Sequence, residues 1–252
     1  MIFKKYFLKE KMLEKHTFVS PKYLNSYFLI FSWKIVHLYF KQRCPTPKLQ
    51  IMGITIHYQG TLNDTRQINQ FKDELIDIAK SMGWEWDSLD EDWNKPNTAK
   101  LIHQKNRAEI KGHLPLKGIS FIPHPDSEAV SFYFDGKGKL QTPIGMVLIN
   151  EGKIEYDGFV SVKTQFAPPE VHITIIKLLK HIKKKYISNL KVRDEGEYWE
   201  TGDENILKQR LEFLGQKINL LRNELSKLGT NEIGSTAEDM VRTIVKILNS
   251  KH

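Results

Sequence analysis

Apolar and polar residues alternate over Gly53-Ile54-Thr55-Ile56-His57-Tyr58, which predicts a strand with Ile54, Ile56 and Tyr58 on one face. The period then lengthens. Asp64-Thr65-Arg66-Gln67 has the form of a capping box, and Ile68, Phe71, Leu75, Ile78, Ala79 and Met82 recur at spacings of three and four. That spacing predicts a helix, ended by Gly83. From residue 84 to about 162 the pattern returns to short runs between turn residues. Strands are predicted at 84–89, 99–103, 108–112, 118–122, 130–134, 146–149 and 159–163, with Asp135-Gly136-Lys137-Gly138 as a hairpin tip.

Pro168-Pro169-Glu170 opens a second helix, because proline is tolerated where the first helical N–H has no partner. Residues 190–193 predict one more strand. Thr201-Gly202-Asp203-Glu204 is again a capping box, followed by Leu207, Leu211, Leu214, Ile218, Leu221, Leu225 and Leu228 at alternating spacings of four and three. That is a heptad seam of three repeats. Its flanking charges follow no simple sign rule, so packing within the chain is preferred over a homodimer through 204–228. A short amphipathic helix is predicted over 236–248. Strands without a βαβ rhythm give an α+β class: a mostly antiparallel sheet covered by helices, with a helical C-terminal extension.

Charge divides the chain of 252 residues in two. Residues 1–51 hold ten of the 38 basic residues but only Glu10 and Glu14 of the 30 acids, so residues 52–252 are neutral overall. A neutral body argues against general nucleic-acid binding, although Lys180, Lys183, Lys184 and Lys185 form a local patch that complements a helix end. The leader also holds Cys44, the only cysteine, and 11 of the 27 aromatic residues. It lacks the apolar block and cleavage site of a signal peptide, and residues 23–40 carry Lys34 and His37 inside what would be a membrane span. The division expected is a leader at 1–51 that lies outside the native fold, one α+β domain at 52–228, and a linker with a short helix at 229–252. Membrane contact is expected only through the leader. The body is read as cytoplasmic.

From Met52 to about Leu228 the sequence resembles an uncharacterised family of bacterial proteins. The likeness lies in Met52-Gly53-Ile54-Thr55-Ile56-His57-Tyr58, Lys117-Gly118-Ile119-Ser120, Val162-Lys163-Thr164-Gln165-Phe166-Ala167-Pro168 and the run from Asp194 to Asp203. It implies a start equivalent to Met52. It implies no activity, ligand or site residue.

No dinucleotide fingerprint, P-loop, zincin, hydrolase elbow or EF-hand pattern occurs, and a body without cysteine excludes thiolate chemistry there. Two constellations remain. In Pro123-His124-Pro125-Asp126-Ser127-Glu128, an extended chain would send His124, Asp126 and Glu128 to one side, which suits a divalent metal or an acid–base pair. The alternative is an ordinary polar loop. The acidic run Asp194, Glu195, Glu197, Glu200 and Asp203 around Tyr198 and Trp199 offers charge and ring faces to a cation, or simply solvates a helix start.

Lys163 and Gln165 end a predicted strand just before Pro168, which places His172 in the first turn of a helix. There the dipole favours the neutral imidazole that a metal ligand or general base requires. The expected site therefore gathers His124, Asp126, Glu128, Lys163, Gln165 and His172, with His124, Asp126, Glu128 and His172 as ligands of any divalent metal. Two functions follow. One is a small-molecule-binding protein or enzyme with a His/carboxylate site. The other is a non-catalytic protein–protein interaction module that works through its C-terminal helices. Burial of Leu207, Leu214 and Leu221 favours the first, and their exposure the second.

Overall fold

The computed structural model describes residues 53–104, 107–154 and 159–227, together with 243, 244 and 247. The leader, the boundary at Met52 and most of the helix expected over 236–248 lie outside the described residues. The chain divides into two compact units, residues 51–214 and residues 1–50 with 215–252.

In the first unit the alternating strand is β1 (Thr55–Gln59), flanked on both sides by antiparallel partners, β8 (Val160–Lys163) and β9 (Lys191–Asp194). A second antiparallel sheet has the order β2 (Glu85–Asp90), β5 (Lys117–Ile122), β6 (Val130–Phe134) and β7 (Leu140–Gln141). A hairpin of β3 (Lys100–Gln104) and β4 (Arg107–Lys111) stands apart. The class is α+β with antiparallel sheets, as the pattern predicts, but the strands divide between two sheets and a hairpin instead of forming one. The two sheets are tied where Leu62 N–H donates to Gly138 O at 2.9 Å and Leu140 N–H to Gly60 O at 3.0 Å. Below that seam the Tyr58 hydroxyl donates to Ser131 O (2.8 Å) and accepts from Ser131 N–H (3.1 Å).

Asp64 does cap a helix start, through Arg66 N–H at 2.9 Å, but a 3-10 turn at Thr65–Gln67 precedes α1 (Ile68–Ser81). The apolar stripe of α1 lies on β2 and β5. Phe71, fully buried, meets Phe132, Phe134 and Tyr186 edge to face at centroid distances of 5.1–5.7 Å. The second long helix, α3 (Pro169–Lys185), buries Ile175, Ile176, Leu179 and Ile182. Each such side chain contributes about 1.5–3 kcal/mol by leaving water.

One predicted strand is a helix. Residues 146–149 belong to α2 (Pro143–Asn150). An apolar run of this length fits either state, and the decision is local: Thr142 Oγ1 accepts from Gly145 N–H at 3.0 Å and Pro143 occupies the first turn. Val147 then packs with Ala99, Leu114, Leu116 and Tyr133 in a second, smaller core.

Glu74, midway along α1, latches that helix to the C-terminal end of α3. Its Oε1 faces His181 Nε2 at 2.7 Å, and its Oε2 accepts from Lys185 Nζ at 2.5 Å and from the Tyr186 hydroxyl. Partial burial pushes this carboxyl up, but the three donors outweigh it and hold it down to about 2. A carboxylate depressed in the folded state stabilises fully above its unfolded value near 4.3 and loses that contribution as pH falls through about 2. Glu74→Gln should therefore lower the melting temperature at pH 7. Melts recorded from pH 7 to pH 2 should show the gap to the parent closing below about pH 4.

Beyond β9 a tight turn leads to a one-turn helix, α4 (Tyr198–Thr201), and then to α5 (Glu204–Lys227). Glu197 turns the chain with φ 62°, the one left-handed non-glycine among the described residues, and is paired with Arg210 of α5. Asp203 Oδ1 accepts from Asn205 N–H at 2.7 Å, so the cap at the start of α5 is this aspartate. Leu207 and Leu214 are buried and Leu221 is half-buried.

Candidate functional site

The loop after β5 does reach the end of β8. Glu128 N–H donates to Lys163 O and Glu128 Oε2 accepts from Lys163 N–H, both at 3.0 Å. The carboxylate thus satisfies an N–H on the edge of a sheet. Residues 125 and 126, however, form a turn and are not extended. His124 Nδ1 accepts from Asp126 N–H at 3.1 Å, and Ser127 closes the turn on His124 O through both its N–H and its hydroxyl at 3.0 Å. Proline and aspartate act here as turn residues; His124 Nδ1 still lies 3.8 Å from Asp126 Oδ2, while the Glu128 carboxylate is engaged with Lys163. Among the described residues no group of three or more His, Cys, Asp or Glu side chains is arranged to hold a metal ion.

Lys163, Thr164 and Gln165 do end β8 beside the start of α3, and Gln165 Oε1 is buried against Gly53 with no hydrogen-bond partner. His172 points into the protein and is only 1% exposed. Its Nδ1 bonds Thr164 Oγ1 at 2.7 Å. Its Nε2 lies 3.0 Å from Asp194 Oδ1 but out of line for a hydrogen bond, so the contact is electrostatic. Burial pushes the Asp194 carboxyl up; His172 beside it and the N–H groups of Trp199 and Gly196 outweigh that and hold it below the usual carboxylate range. His172 and His124 are thus engaged with different partners.

The acidic run is also spoken for. Asp194 is in the core, Glu197 pairs with Arg210 and Asp203 caps α5. Lys180 Nζ lies 6.0 Å from the Tyr198 ring and 5.6 Å from Trp199, and Lys183 Nζ lies 5.6 Å from Trp199. The ring faces that would attract a cationic ligand hold the protein's own ammonium groups.

Glu195 leads to a different group. Its Oε1 is 3.4 Å from His57 Nε2, and His57 Nδ1 is 2.8 Å from Ser161 Oγ. The three residues come from the three strands of one sheet: register puts His57 opposite Ser161 of β8 and Arg193 of β9, and Glu195 follows β9 directly. Glu195 is fixed at both ends, Oε2 accepting from Thr55 N–H at 3.0 Å and its own N–H donating to Thr55 O at 3.1 Å. Arg193 approaches Oε1 at 3.7 Å. Phe159 stands edge-on to the imidazole at 6.4 Å.

A carboxylate only accepts, so in the neutral ring Nε2 carries the proton and Nδ1 receives the serine O–H. This is the ordering of nucleophile, base and orienting acid found in acyl-transfer enzymes. Ser161 is exposed, while the side chains of His57 and Glu195 are 20% and 24% exposed. His113 is arranged otherwise: its nitrogens face Glu91 Oε2 at 3.1 Å and Asp92 O at 2.9 Å, which engages both in holding a loop.

The sequence did carry one signal for this row. His57, Ser161 and Arg193 occupy the polar positions of strands whose alternate positions are apolar. What joins them is register over separations of 104 and 138 residues, which no local pattern reveals. Among the described residues no helix is long and apolar enough to cross a membrane. No family model, curated protein or solved structure matches this chain.

Proposed function

We propose that this chain is a cytoplasmic small-molecule-binding protein or enzyme whose His/carboxylate site is the row Ser161, His57 and Glu195, working as an acyl-transfer centre. The observation that supports the reading is one imidazole set between a serine oxygen at 2.8 Å and a fixed carboxylate at 3.4 Å. Ser161 Oγ attacks an acyl carbon as its proton passes to His57 Nδ1, and Glu195 steadies the imidazolium through Nε2–H. The leaving group departs with the proton from Nδ1, and water then releases the acyl group by the same route. Lys191 and Arg193, exposed on the same face, favour acyl compounds that carry a negative charge. Of the three leucines that distinguish the readings, Leu207 and Leu214 are buried, which supports this one over a module that docks through α5, and Leu221 is half-buried.

The test is hydrolysis of a chromogenic half-ester of a dicarboxylic acid by the full chain. Ser161→Ala and His57→Ala should each reduce turnover by about 100-fold or more, and Glu195→Gln by less, in line with the size of general-base effects. Turnover that Ser161→Ala leaves unchanged would remove the reading.

A further inference from the structure

We propose that His172 is a positioning residue for this row: with Thr164 and Asp194 it clamps the ends of β8 and β9, and so sets Ser161 and Glu195 on either side of one imidazole. The inference rests on the reading of Ser161, His57 and Glu195 given above.

The need for a clamp follows from the topology. Among the described residues β8 and β9 each pair only with β1, so sheet hydrogen bonds relate Ser161 and Glu195 to each other only by way of β1. The twist between neighbouring strands ranges over about 10–35°, so a spacing set through two successive pairings is loosely held. At the end where the row lies, side chains link the two outer strands. Thr164 follows β8 directly, and its N–H donates to Ile54 O at 3.0 Å. Asp194 is the last residue of β9, adjoining Glu195. His172 spans the gap beneath β1, 2.7 Å from Thr164 Oγ1 and 3.0 Å from Asp194 Oδ1.

The clamp is sealed and stiff. Thr164, His172 and Asp194 are 1%, 1% and 6% exposed. Asp194 Oδ1 accepts from Gly196 N–H at 2.7 Å and Oδ2 from Trp199 N–H at 2.9 Å, which fixes the turn that carries Glu195. That turn lies directly on the imidazole: a Cβ at Gly196 would come within 3.0 Å of His172 Cε1 and Nε2 and 2.7 Å of Leu207 Cδ1. Polar groups buried this deeply are costly compared with apolar residues of the same volume, and fixing a unique arrangement is the best attested reason to keep them. Here the arrangement fixed is the spacing across β1.

The experiment reads the His57 ring nitrogens by NMR in the full chain, alongside turnover of the half-ester. Thr164→Val removes the hydroxyl while preserving shape. It should shift the Nδ1 signal of His57 as the Ser161 bond lengthens, and should lower kcat about tenfold or more with KM within twofold. Thr164→Ser, which restores the hydroxyl, should return both to the parent values. Gly196→Ala presses on the imidazole without deleting a polar group and should shift His57 in the same way, which keeps the test open if Thr164→Val does not fold. Folded variants with His57 signals identical to those of the parent would overturn the clamp. If Ser161→Ala leaves turnover unchanged, the catalytic reading falls, while the His57 signals still decide whether His172 sets the spacing.

Discussion

Gly118→Ala should fail to fold. Gly118 lies in β5 with φ 153°, and a Cβ there would sit 1.9 Å from Phe132 O and 2.8 Å from Phe132 C and Tyr133 Cα. All three are backbone atoms of the neighbouring strand, so no rotamer change makes room. β5 is also held from its other side, where Gly118 is opposite Leu89 of β2. The strand has nowhere to retreat without breaking one of its two ladders. A clash of this kind belongs with the exceptional substitutions that cost more than about 4–5 kcal/mol, against a typical total stability of about 5–15 kcal/mol. Circular dichroism and a thermal melt of the purified variant check it. Gly83→Ala is the matched control: its φ is +66° but nothing lies within 4 Å, so only the left-handed backbone is penalised, by about 1–2 kcal/mol. A cooperative melt for Gly118→Ala near that of the parent would contradict the argument.

Asp194→Ala should be the second large loss at pH 7, because each buried polar group left without its partner costs about 1–3 kcal/mol. It strips His172 of its neighbour and leaves the N–H groups of Gly196 and Trp199 without acceptors inside the protein. The sign with pH is fixed. The Asp194 carboxyl is held below its ordinary value in the folded chain, so its contribution is complete above the unfolded value near 3.9 and is lost as pH falls through the folded one. Urea titrations at pH 7 and pH 3 should therefore show a smaller difference between parent and variant at the lower pH. A difference that grows on acidification would show that Asp194 is not the ionised partner.

These two positions also mark how far the sequence could be read. The strand around Gly118 was legible because β-branched and aromatic residues crowd it. The glycine itself was unremarkable until its partner strand was known. Ile54, Ile56 and Tyr58 announced the buried face of β1 through their period, and the same period left His57 among the polar positions. At 146–149 a wholly apolar run gave no period to read, and the cap at Thr142 settled it. Of the expected site residues, Glu128 and Lys163 do come together, the Lys163 backbone meeting both the N–H and the carboxylate of Glu128. His172 is central, yet as a buried bridge between Thr164 and Asp194. Its partners lie 8 and 22 positions away along the chain, and their meeting depends on α3 crossing beneath the sheet, which no local spacing encodes. The carboxylate that reaches His57 belongs to Glu195, in a stretch whose composition suggests a cation site or a solvated helix start and names no histidine partner.

The order of strands β8, β1 and β9 has a consequence for synthesis of the chain. β1 is made early, and its two partners lie more than 100 residues downstream. Closing loops of that length is slow in entropy terms, and domains rich in such distant pairings fold slowly. A ribosome-bound chain that has released residues up to β7 therefore displays Ile54, Ile56 and Tyr58 on a strand with two open edges, the kind of surface that chaperones cover. Arrest at successive lengths should show protease resistance around β1 arising only after β9 has left the exit tunnel. His57 would then be the first member of its row to be synthesised, with its serine following 104 residues later and its carboxylate 138 residues later.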